Sequence, residues 1–272
     1  MGDQWRVLID ELAGLVLPSE CAGCGRTRVR GELCGSCAEA LRSAVPRRVH
    51  PLAASSRPSR PPRVYAALPY AGEVRKVLLA HKERGALRLA APLGEVLADV
   101  VRTASARARG PSGGAAGVGP RPRGPRGQLG THSPRGWPAG SPEVPPLTLV
   151  PVPSARPSVA ARGHDPVRRM ALAAASELRR RGVPARVLAV LRHGRPVADQ
   201  AGLTARQRLA NLDGALEIVP DGERLLGEGE TVLVDDLMTT GASLAEAGRA
   251  VRVRGREPTA AAVVAFRPRP GG

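Results

Sequence analysis

Aromatic side chains are nearly absent: the 272 residues include two Trp, two Tyr and one Phe. A core built from this chain must therefore use Leu, Val and Ala, and base stacking, the usual means of gripping single-stranded nucleic acid, has few platforms. Lysine is almost missing as well. Lys76 and Lys82 are the only two, so nearly all of the 41 basic residues are arginine. Acidic residues number 24, which leaves a net charge of +17. That balance suits polyanionic partners. A GC-rich genome that fills neutral surface positions with Arg, Ala, Gly and Pro gives the same composition, so basicity alone does not select nucleic acid. No apolar run approaches the ~20 residues needed to span a bilayer. The first 25 residues carry Asp10 and Glu11 inside their apolar stretch and lack a basic region followed by a clean apolar one, unlike a secretory signal. We read them as a short amphipathic helix with Trp5, Leu8, Leu12 and Leu15 on one side, and expect a cytoplasmic protein without a membrane span.

Cysteine is confined to one place. Cys21, Cys24, Cys34 and Cys37 form two CxxC pairs nine residues apart. This spacing can set four thiolates tetrahedrally around one Zn²⁺, with no ligand position left open for chemistry. Two disulfides, disfavoured in a reducing cytoplasm, and redox CxxC pairs are the other readings. Arg26, Arg28 and Arg30, between the pairs, offset the negative charge of a zinc tetrathiolate.

The most informative stretch is Thr231 to Ser243, TVLVDDLMTTGAS. Thr231 to Val234 suit a buried parallel strand. Asp235 and Asp236 follow, then a Thr-Thr-Gly-Ala turn. Ser243 then opens a helix on which Leu244, Ala247, Gly248 and Val251 recur at helical spacing, and Gly255 is a stop signal. A strand–turn–helix unit aims backbone N–H groups at one spot by a helix N-terminus, which suits a phosphate. The hydroxyls of Thr239, Thr240 and Ser243 add donors. The two carboxylates suit a vicinal diol, or help hold a hydrated Mg²⁺. Together these parts match a sugar phosphate with free ribose hydroxyls.

The rest of the chain divides by composition. Residues 1–45 hold the N-terminal helix and the cysteine module, and 46–63, rich in Pro, Arg and Ser, read as a linker. Residues 64–102 contain a strand at Val64–Pro69 and two helices. The first has Val74, Val77, Leu78 and His81 on one face, with His81 read as a core-edge residue. The second, over 87–102, turns Leu87, Ala90, Gly94, Leu97 and Val101 inward. In 103–146, Gly, Pro, Ser and Arg dominate and no period survives, so this segment reads as a disordered insertion. Residues 147–268 resume order. Leu147 to Val152 form a strand whose following loop carries Ser154 and Arg156, placed to grip a diphosphate. A helix follows with Val167, Met170, Ala171, Ala174 and Leu178 on its apolar stripe. Further strands are expected at Arg186–Leu191, Ala215–Val219 and Ala261–Phe266. Strands alternating with helices imply an α/β fold with a largely parallel sheet flanked by helices.

The Thr231–Ser243 stretch resembles the phosphoribosyl-pyrophosphate (PRPP) motif of type I phosphoribosyltransferases. More narrowly, several pieces together resemble the ComF family of competence-associated, phosphoribosyltransferase-like proteins. They are the four-cysteine ribbon, Tyr70-x-Gly72 with Lys82 and Gly85, Val150-Pro151-Val152-Pro153, Arg162-Gly163, Gln200 with Arg208 and Asn211, and the Asp235–Ala242 motif. His164 and Asp165 depart from the aromatic and Asn usual after Arg-Gly, and Val197 stands where a Thr is common. Thr239 stands where purine salvage members carry an acid used as a base, which argues against 6-oxopurine salvage.

The resemblance implies a type I phosphoribosyltransferase fold with an N-terminal zinc ribbon, and PRPP bound with Mg²⁺. Asp235 and Asp236 would take the ribose hydroxyls, and Thr239, Thr240, Gly241, Ala242 and Ser243 the 5′-phosphate. Ser154 and Arg156 would take the diphosphate. Arg162, Gly163, Gln200, Arg208 and Asn211 would form flexible-loop contacts, and Cys21, Cys24, Cys34 and Cys37 would hold zinc. Catalysis, carried by Arg156, Asp235 and Asp236, would be phosphoribosyl (glycosyl) transfer to an acceptor the sequence does not name. The family also implies a link to DNA uptake, with single-stranded DNA and a helicase-like protein as partners. The alternatives are a non-catalytic nucleic-acid-binding accessory that keeps the fold as a ligand sensor, and a nucleobase salvage enzyme.

Overall fold

Two apolar surfaces decide the architecture. A computed structural model describes residues 20–51, 62–109, 146–154, 163–197, 204–227 and 229–268. Within it, β-strands β1 (Arg47–Val49), β2 (Val64–Pro69), β3 (Leu147–Pro151), β4 (Ala185–Val187), β7 (Thr231–Met238) and β8 (Ala260–Phe266) form one six-stranded sheet in the order β1-β2-β8-β7-β3-β4. All pairings are parallel except that of β1 with β2. Strands such as AAAVVAF of β8 are buried along their whole length, as expected where helices cover both faces of a parallel sheet. Alternate residues supply the two faces. Val232, Val234 and Ala262 join one core, and Leu233, Ala261 and Val263 the other.

The first face carries α2 (Gly72–Glu83), α3 (Ala90–Arg109, entered through a 3₁₀ turn at Leu87–Leu89) and α4 (Pro166–Arg180). The whole expected stripe of α4 is buried, and Asp165 caps the helix, accepting a hydrogen bond from Arg168 N at 3.0 Å. Helices α3 and α4 pack closely because Gly94 has no side chain. A Cβ there would lie 2.5 Å from Ala173 Cβ and 2.9 Å from Ala174 N. Gly94→Ala is therefore expected to cost about 1–3 kcal/mol through overpacking, read as a lower urea midpoint with an unchanged slope. An unchanged midpoint would mean the helices can separate freely.

The second face carries α7 (Ala242–Val253), against which a small unit is packed. This unit comprises β5 (Leu191–His193), α5 (Ala205–Leu212), β6 (Leu216–Ile218) and the short α6 (Gly222–Leu226). Strands β5 and β6 pair with each other in a separate antiparallel sheet. A buried carboxylate holds that unit to α7. Glu246 Oε1 accepts from Leu216 N at 2.9 Å while Arg249 donates to Leu216 O at 2.7 Å and to Glu246 Oε2 at 2.8 Å. The hydrogen bond with Glu246 also raises the Arg249 pKa.

Several sequence expectations are corrected. The expected linker contains β1, because Arg47, Arg48 and Val49 find antiparallel partners in Ala66, Tyr65 and Val64. The helix expected to end at 102 continues to Arg109, with Ala104 and Ser105 buried against its neighbours. Leu87 is 36% exposed rather than inward. The single strand expected at Arg186–Leu191 is two, β4 in the large sheet and β5 in the small one. The N-terminal helix, most of the insertion, Arg156, Arg162 and Gln200 lie outside the described residues.

The cysteine module (residues 20–45) continues into α1 (Gly35–Arg42) and is not a separate bead. Leu41 belongs to the first core, and Ala22, Leu33 and Ala44 pack against it.

Candidate functional site

Strands β3 and β7 are neighbours, but their following helices leave in opposite directions. Helix α4 covers the first face and α7 the second. Between the C-terminal ends of two such strands a crevice opens, the usual ligand position in open α/β sheets. The Asp235–Ser243 stretch leaves β7 at this edge, and the Pro153–Ser154 segment leaves β3 beside it. Val152 N donates to Val234 O at 2.9 Å, which sets the two ends side by side.

Strand β7 is longer than the sequence suggested. Four residues were expected; the strand runs to Met238 and takes both acids into its last turns. The acids thereby become unequal, since successive strand residues face opposite ways. Asp235 is half-buried and lines a pocket with Leu237, Met238, Thr239, Thr240, Gly241, Ala242, Ser243 and Leu244. Asp236 is buried (6% exposed) and does not line it. Its Oδ2 lies 2.9 Å from Lys82 Nζ, at the end of α2. Asp235 folds back so that its Oδ1 accepts from Asp236 N at 2.8 Å. Burial first, then the Asp236 charge, pushes Asp235 well above the ordinary carboxylate range. Burial alone would raise Asp236 too, but the Lys82 ammonium outweighs it and holds Asp236 below its ordinary value.

The turn is built on Gly241. Its φ of +85° and a Pro51 Cβ only 2.6 Å from where a side chain would begin leave no residue but glycine at ease. Thr240 Oγ1 accepts from Ala242 N at 3.3 Å. Arg208 reaches in from α5 and donates to Thr239 Oγ1 at 3.2 Å. A capping box of Thr204 and Gln207 holds the start of α5. Among the expected loop residues, Arg208 therefore joins the site. Asn211 lies further along α5, its carbonyl accepting from Arg195 at 2.9 Å. Gly163, with φ +71°, precedes the α4 cap.

Two features were missed at the sequence level. One is the clamp of Glu246 and Arg249 on Leu216. The other is the partnership of Lys82 with Asp236. Its sequence signals were the residue type, one of two lysines in a chain that otherwise uses arginine, and its place beside Tyr70, Gly72 and Gly85 in the pattern that carries the family resemblance.

The four cysteine sulphurs lie within 4.8 Å of one another, and Cys24 and Cys34 Sγ are 3.6 Å apart. Tetrahedral thiolates about 2.3 Å from a metal stand roughly 3.8 Å apart, so the group can hold a metal ion. Burial works against ionising Cys21, but hydrogen bonds from the backbone of Cys34, Cys24 and Gly23 bring it down to about 6. Cys37 is pushed up to about 12, by burial and then by the other sulphurs. Such crowding is what a bound dication relieves. It is the only cluster of three or more potential metal ligands among the described residues. No described helix is long and apolar enough to cross a membrane.

Compared with known proteins, the chain matches no protein-family model and no curated protein.

Proposed function

We propose that the crevice binds PRPP, and that the protein is a phosphoribosyltransferase-domain protein of the ComF type. The observation that carries this reading is the meeting of an acid pair, a hydroxyl-rich turn and a helix N-terminus at the C-terminal edge of a parallel sheet, where neighbouring helices diverge. The turn from Thr239 to Ser243 would receive the 5′-phosphate through backbone N–H groups and hydroxyls. Asp235 and Asp236 would serve the ribose side. Ser154 and Arg156 would receive the diphosphate. Mg²⁺ would arrive on PRPP as part of the substrate and neutralise the departing diphosphate. The protein's own contribution is electrostatic: it holds the ribose still while positive charge develops at the anomeric carbon. Phosphoribosyl transfer would break the bond to diphosphate and form one to the acceptor. The small unit bearing α5, β5 and β6, whose Arg208 reaches Thr239, is where an acceptor would be read. Zinc is the metal we assign to the cysteines, on their number, spacing and separation.

The reading is tested by a pyrophosphate-release screen over nucleobases, with and without single-stranded DNA. Base-dependent release identifies a salvage enzyme, and DNA-dependent release an activity tied to DNA uptake. If PRPP·Mg binds but no pyrophosphate appears, the ligand-sensor alternative is favoured. Absence of PRPP binding overturns the proposal.

A further inference from the structure

Lys82 is delivered to the acid pair by a rigid arm. Its neighbour His81 is 1% exposed, with Nδ1 3.4 Å from Ala86 O and Nε2 3.3 Å from Pro166 O. The buried ring thus sits between the following turn and the first residue of α4, and the single N–H of its neutral form donates to one of these two carbonyls. His164 Nε2 lies 3.2 Å from His81 O and adds a tie from the loop before α4. With His81 anchored, the next residue is aimed at β7, where its ammonium meets Asp236 Oδ2 at 2.9 Å.

We infer that Lys82 is a positioning residue: its ammonium holds Asp236 and occupies the cation place beside it, so the acid pair meets its ligand as a diol acceptor rather than as a seat for a bare divalent cation. This rests on the ribose-phosphate reading of the crevice. Among the described residues, the charged and titratable groups around Asp236 are Asp235 on its own strand, Lys82 and His81 on α2, and His164 behind His81. Burial holds His81 below its ordinary value, so at neutral pH it brings no charge. Lys82 is then the cation that offsets two adjacent carboxylates in a poorly solvated place. Without it, repulsion and burial favour protonated forms of both acids. Asp235, the carboxyl that lines the pocket, would then reach the ligand as a neutral group and lose the stronger, charge-assisted hydrogen bond. A lysine suits the task because its charge is compact and its stem follows the carboxylate, whereas an arginine fork needs a wider planar seat.

Lys82→Met and Lys82→Arg are compared with wild type in two measurements. The first is PRPP·Mg affinity by calorimetry from pH 6 to pH 9. Lys82→Met is expected to bind at least about tenfold more weakly at pH 7 and to regain affinity as the pH rises and the acids ionise. Lys82→Arg is expected to recover most of the loss. The second is a ¹³C carboxyl NMR titration of Asp235 and Asp236 without ligand, in which Lys82→Met is expected to move both midpoints upward. The titration reads Lys82 even if wild type does not bind PRPP, an outcome that would overturn the PRPP reading alone. Unmoved carboxyl midpoints in Lys82→Met, or a loss of affinity equal at every pH, would overturn the inference.

Discussion

A double variant, Asp235→Asn with Asp236→Asn, is expected to give no binding heat when titrated with PRPP·Mg under conditions where the wild-type chain gives a clear isotherm. Asp235 lines the pocket and would offer the ribose side an acceptor, while Asp236, held by Lys82, would support it from behind. A hydrogen bond to a charged group contributes about 1.5–3 kcal/mol, so losing the Asp235 acceptor alone corresponds to roughly 10–10² in affinity. Asn keeps the shape and one acceptor but loses the charge and brings an NH₂ group that points donors at donors. The fold should survive. Asp235 is half-buried, and the Lys82 side chain, 33% exposed, can turn its ammonium to water once Asp236 is neutral. Far-UV circular dichroism and the urea midpoint serve as the control. Equal heats from variant and wild type would sink the site assignment.

The second large effect belongs to the cysteine module. Cys37→Ser is expected to abolish bound metal, measured by elemental analysis, and to lower the melting temperature by about 6–12 °C. That range corresponds to roughly 3 kcal/mol in a chain of this size, a fraction of what structural zinc supplies to small modules. The physical reason is continuity of packing. Cys37 is 8% exposed, and Leu41, on the same short helix, is a member of the first core. Gly23 lies so close to Cys37 that a Cβ would be 2.9 Å from its Sγ and 3.4 Å from Glu73 Cβ on α2. Loosening the knuckles therefore loosens the contact with α2. A strong chelator should reproduce the shift in wild type and add nothing to Cys37→Ser. Wild-type protein that melts identically with and without chelator would remove the structural role of the metal.

Much of this protein can be read along the chain. The parallel sheet follows from short apolar strands alternating with amphipathic helices, and Val64–Pro69 coincides with its expected bounds. The stripe of α4 follows from the 3.6-residue period alone. The cysteine cluster follows from spacing, because a CxxC turn leaves its sulphurs little freedom and two such turns nearby have one good way to meet. The phosphate-type turn follows from Gly241, whose positive φ is a local property. These features share short range: each is decided within a few residues, by backbone sterics or by a single periodic face.

What only the tertiary structure decided is long-range. A strand was expected at Arg186–Leu191, but Ala185 to Val187 find a partner in β3 while Leu191 to His193 find one in β6, and no local pattern states which partner is available. The segment 47–49 reads as linker until Ala66, Tyr65 and Val64 are seen beside it. The acids at 235 and 236 look equivalent in the sequence. They differ in the fold because strand alternation turns one toward the pocket and the other toward Lys82, 154 residues away. Burial and charge pairing act through space, so the inequality of the two carboxylates is a property of the folded sheet and not of the local sequence.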